Sequence, residues 1–204
     1  DALRRPLYPF ETSVAPYESQ KFIQAIEEEE ESQAMAMLNS ALAANISLDI
    51  LEKDFSSAAL MHYNDFGHSL IYVYKTFELA RRFSTDASAA VLRCMLRSLC
   101  YTSREDLIPE FREYAERLTT FKEKLSLDKE QDIGESLNAK NPSEAMDWLS
   151  NLDKAPSYEN LFDYLLYKNA QNFCLYDINM QYETQNNVSH NIGWLDFTHA
   201  ITFA

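Results

Sequence analysis

The chain has 204 residues, 46% of them hydrophobic, and 32 acidic against 18 basic side chains for a net charge of −14. That hydrophobic fraction excludes a disordered chain. With basic residues clustered only as the pairs Arg4-Arg5 and Arg81-Arg82, the charge argues against nucleic acid or anionic membrane as partners.

Three glycines are too few for the tight turns of a sheet protein, which points to an all-α fold, a single multi-helix domain of about nine helices. Residues 1–16 carry Pro6, Pro9 and Pro16 and read as an extended segment preceding a helical domain over 17–204. A helical pattern starts at Tyr17 and runs through Phe22, Ile23 and Ile26. The Glu27–Glu31 run is a solvated face or a helix junction. Met35, Leu38, Ala41 and Leu42 mark a second helix. Ser47 is placed to cap a third, with Leu51, Phe55 and Ala59 on its apolar face. The pattern breaks at 62–67 and resumes to about Phe83. There Leu70, Val73, Tyr74, Phe77 and Ala80 form the main face, while Ile71, Tyr72 and Leu79 make the helix apolar on most sides, as expected of a central helix.

Ser84 or Thr85 opens the next helix through Leu99, and Ser103 another through Phe121, followed by a polar loop over 122–140. Asn141-Pro142-Ser143-Glu144 is a start signal, with a capping Asn, Pro at the first helical position and Glu at the third. Pro156-Ser157 opens a long helix with Phe162, Leu166, Ala170, Phe173 and Met180 on one stripe. A last helix starts near Gly193 and stops in mid-pattern at Ala204. The chain opens on Asp1 rather than Met, so the natural protein is expected to extend beyond this sequence. Cys94, Cys100 and Cys174 lie inside helical patterns and read as reduced, buried thiols of a cytoplasmic protein. No apolar run is long enough to span a bilayer.

The chemistry-bearing residues concentrate in two places. All four histidines fall in His62–His68 and His190–His199, and each stretch ends in the same unit, Asp65-Phe66-Gly67-His68 and Asp196-Phe197-Thr198-His199. On a helix, positions i, i+3 and i+7 share a stripe. Asp65, His68 and Tyr72 are therefore expected to line up, as are Asp196, His199 and Phe203. Two such helices face to face gather two carboxylates and two imidazoles, a donor set for Fe, Mn or Zn. The arrangement parallels the Glu-x-x-His pairs of helical di-iron proteins, with Asp in place of Glu and no obvious bridging Glu. His62 and His190, across expected helix breaks, are further candidate ligands, and Asp177 is another. The same residues also serve metal-free acid–base chemistry, or a structural cluster in which Asp65 caps a helix. Tyr164 and Tyr167 line an aromatic pocket or pack in the core. No GxGxxG, P-loop or nucleophile elbow is present, so no nucleotide cofactor is expected in this chain.

The stretches HYNDFGHSLIYVYKTFELARR, His62 to Arg82, and WLDFTHAITFA, Trp194 to Ala204, resemble segments of the questin-oxidase-like helical proteins. Here the second stretch is Asp-Phe-Thr-His, one residue shorter than in some members. The resemblance covers about a sixth of the chain. It implies an oxidoreductase, the family's characterised members being linked to oxidative ring opening of aromatic polyketides. The leading reading is an oxidoreductase-like domain acting on a small molecule, in which Asp65, His68, Asp196 and His199 are the catalytic candidates, as metal ligands or acid–base groups. Two other readings stand beside it: a helical protein-interaction module whose His/Asp cluster is structural, and a metal-dependent hydrolase.

Overall fold

The structure, a computed structural model, describes residues 10–61, 67–104, 117, 142–152, 156–179 and 193–203. Among them are eight helices and no strand: α1 Ser19–Glu27, α2 Glu31–Ala43, α3 Leu48–Leu60, α4 His68–Ala80, α5 Thr85–Cys100, α6 Pro142–Ser150, α7 Tyr158–Leu175 and α8 Trp194–Phe203. The all-α expectation holds. The helix expected from Ser103 to Phe121 lies outside the described residues, save for a helical Arg117. None of the described helices is long and apolar enough to cross a membrane. The chain divides into two compact units, Asp1–Leu60 with Ser69–Ser103, and Met61–His68 with Arg104–Ala204.

The first unit owes its packing to two short reversals. The glutamate run is a junction: Glu29 takes a left-handed φ of 59°, the Glu30 amide donates to the Ala25 carbonyl and the Glu29 amide to the Ile26 carbonyl. Asn45 repeats this at the end of α2, with φ 53°, as the Ile46 amide donates to Ala41 and the Asn45 amide to Leu42. Paired six-to-one and five-to-two bonds of this kind satisfy the last carbonyls of a helix and turn the chain sharply. Asn tolerates the left-handed conformation well. Glu29 adopts it at a cost of roughly 1–2 kcal/mol. Helices joined this tightly fold back on one another, and α1 packs on α2, α3 and α5.

Their apolar stripes close a core. Phe22, Met35, Leu38, Leu51, Phe55 and Phe77 are fully buried. Four rings make a continuous column through it: Tyr17 to Phe22 at 5.3 Å, Phe22 to Phe55 at 5.3 Å, and Phe55 to Phe77 at 5.4 Å between centroids. Tilted and edge-on contacts of this kind add to the gain from burial itself. Of α4, only Val73, Phe77 and Ala80 are buried deeply enough to count as core apolar residues. Tyr72, Tyr74 and Leu79 are about half exposed. The expectation of a centrally placed helix is thus corrected to an amphipathic one, buried along an i, i+4, i+7 stripe.

Residues 10–18, the described part of the segment before α1, form no helix. They are pinned by buried polar groups. The Asn39 amide donates to the Glu11 and Ser13 carbonyls at 2.8 and 3.0 Å and accepts from Arg93 Nε at 3.0 Å. The Tyr17 hydroxyl donates to the buried Asp54 carboxylate at 2.6 Å. Burial first, and then that carboxylate, push the Tyr17 phenol far above its ordinary range. Cys100 is buried as expected, and burial, helped by Glu31 and Glu29, pushes its thiol up to about 12. Cys94 and Cys174 are exposed, which corrects the expectation of three buried thiols. Each sits on the solvent side of its helix, a distinction that helical spacing without packing partners does not make.

The second unit contains α6, α7 and α8. Ser157 begins α7 as its sequence signal predicts, its Oγ accepting from the Asn160 amide at 3.1 Å. The helix ends at Leu175, where Tyr176 turns extended with ψ 127°, and Met180 of the expected stripe lies outside the described residues. No residue of α7 is fully buried, and Phe162 and Phe173, expected in a core, are 42% and 43% exposed.

Candidate functional site

Helix α8 is held at its start by its own acidic residue. Asp196, the third residue of the helix, accepts from the Gly193 amide at 2.7 Å, satisfying a backbone donor just ahead of the helix and placing negative charge at its positive end. One face of α8 is fixed to α7. Asn169 Nδ2 donates to the Phe197 carbonyl at 3.0 Å, and the Phe173 and Tyr176 rings each lie 5.4 Å from the Phe197 ring. Two residues further along is roughly 200° around a helix. His199 therefore points away from the face that packs on α7.

There it meets His68. The two imidazoles stand edge to face, centroids 4.5 Å apart and planes at 81°. Both side chains are partly buried, and both residues belong to the second unit. His68 reaches this position as the first residue of α4. It follows Gly67, whose φ of 80° is open to glycine with no steric penalty. The helix starts at His68, and Asp65, the carboxylate of the first Asp-Phe-x-His unit, lies outside the described residues. Asp196 and His199, by contrast, do lie one turn apart within α8.

The remaining candidates divide as follows. His62, Asp65 and His190 lie outside the described residues. Asp177 lies beyond the end of α7 rather than on its stripe. Its Oδ1 accepts from both the amide and the side chain of Asn179, at 2.9 and 2.8 Å, in a local turn. Tyr164 stacks on Trp148, centroids 5.6 Å apart, whereas Tyr167 is 64% exposed, so the two do not line a common aromatic pocket. Arg117 pairs with Asp147 of α6. Asn169, which clamps α8, carried no signal in the sequence beyond its place on the helix face that Phe173 shares.

Two imidazoles are less than a full metal shell, since zinc centres take three or four protein ligands. Among the described residues no group of three or more His, Cys, Asp and Glu converges. What the described geometry offers is a pair of neighbouring nitrogen bases, one of them on a helix whose first turn is ordered by a carboxylate. Elsewhere, in the first unit, a cavity of about 860 Å³ is lined by Phe10, Glu11, Glu29, Glu31, Arg97 and Tyr101 among others. The Arg97 guanidinium lies 4.2 Å from the centre of the Phe10 ring and 2.7 Å from Glu31, whose hydrogen bond to Tyr101 pushes that phenol above its ordinary range. No family model matches the chain, and no curated protein or solved structure is significantly similar to it.

Proposed function

We propose that the chain is an oxidoreductase-like helical domain acting on a small molecule, with the His68–His199 pair at its reaction centre. The observation that carries this reading is the edge-to-face approach of the two imidazoles at 4.5 Å, from helices widely separated in sequence. Aligned histidines are the side chains best suited to take up and return protons near neutral pH. Two of them in contact offer an acceptor and a donor to one substrate. Asp196 acts as a positioning residue, ordering the turn from which His199 projects. The resemblance to questin-oxidase-like segments supplies the reaction class and the expectation of an aromatic substrate. His68 and His199 also fit two positions of a non-haem Fe, Mn or Zn shell, which His62, Asp65 or His190 would complete. A metal there would supply Lewis acidity or a redox centre.

The test is thermal unfolding with Fe(II), Mn(II) or Zn(II), before and after chelation, together with the metal content of protein purified without added metal. The wild type and a His68→Ala, His199→Ala double variant are compared. If the pair holds a metal, the wild type is stabilised by about 2.7 kcal/mol at a hundredfold excess over the dissociation constant. That gain fades in acid, because a protonated imidazole does not bind a metal. A gain that survives in the double variant places the metal elsewhere. Indifference to every metal and to chelator leaves the metal-free acid–base role, which turnover of aromatic substrates by the wild type but not by the double variant would establish.

A second reading, a helical interaction module, is favoured by α7, an 18-residue helix without a fully buried residue and with Tyr158, Phe162, Leu165 and Tyr167 exposed. Under it the double variant loses no activity, and substitutions along α7 abolish partner binding.

A further inference from the structure

We draw no further inference here: the strongest candidate, the acidic cavity between residues 10–12, the α1–α2 junction and the end of α5, is a cluster of glutamates already faced by the chain's own Arg97, and nothing in the structure shows a ligand that it holds.

Discussion

Phe55 and Phe162 hold equivalent places in sequence terms, each an aromatic residue in the apolar stripe of a helix, yet Phe55 is fully buried and Phe162 is 42% exposed. Phe55 lies in the first unit, where α1, α2 and α3 are joined by two three- to four-residue reversals and cannot avoid one another. Phe162 lies in the second, where α7 is joined to its neighbours by seven residues before it and eighteen after it, and packs through Asn169, Phe173 and Tyr176 against α8. All of the buried hydrophobic core among the described residues belongs to the first unit. An apolar stripe therefore states which face of a helix prefers to leave water. Short connections are what guarantee that a partner is there to receive it.

The comparison is sharpest if the two phenylalanines are truncated. Phe55→Ala removes the middle of the ring column and leaves a cavity between Phe22 and Phe77, and is expected to cost about 3–5 kcal/mol. Chemical denaturation followed by far-UV circular dichroism measures it. A loss below about 1 kcal/mol would mean that the first unit is no better packed than the second.

Next in size is the polar anchoring of the first unit. Asn39→Ala removes two donors to the Glu11 and Ser13 carbonyls and the acceptor for Arg93, and is expected to cost about 1–3 kcal/mol. It should also speed proteolysis within residues 10–18 while leaving the α7–α8 pair as protected as before. Equal exposure of both regions would break the claim that the segment before α1 is held by this amide.

The thiols offer a comparison that depends on pH. Cys100 ionises near its ordinary value of 9 when unfolded but near 12 when folded, so its stabilising effect is complete below about pH 9. Above that the unfolded state releases its proton first, and stability falls as pH rises towards 12, by at most about 1.4 kcal/mol per pH unit for one proton. The half-buried Tyr17 adds in the same direction above its ordinary value of 10. Cys100→Ala should flatten the stability curve between pH 9 and 12, and an unchanged slope would remove the thiol from the account. In the native protein at pH 8, a thiol reagent should modify Cys94 and Cys174 promptly and Cys100 only on unfolding.

The smallest effect is expected from the other phenylalanine. Phe162→Ala should change stability by less than about 1 kcal/mol, because the side chain keeps much of its contact with water when folded. A loss like that of Phe55→Ala would show that α7 is covered in solution by a partner.

The sequence by itself determined that the chain is helical, because a 3.6-residue apolar period and scarce glycine leave no other way to bury its Leu, Met and Phe. It determined several helix starts, at Ser157 and Trp194 among others, because capping depends on neighbours within four residues. It also singled out His68 and His199, through the shared Asp-Phe-x-His unit. Tertiary structure decided the rest. That Cys100 is buried while Cys94 is exposed, that Asp177 sits in a turn, and that α4 is amphipathic rather than central follow from which faces found partners. Gly67, with its φ of 80°, leads the chain into α4 at His68, the position from which that imidazole meets His199. The contact between the two imidazoles, in turn, exists only because Asn169, Phe173 and Tyr176 fix the opposite face of α8, an arrangement between distant segments that no local periodicity encodes.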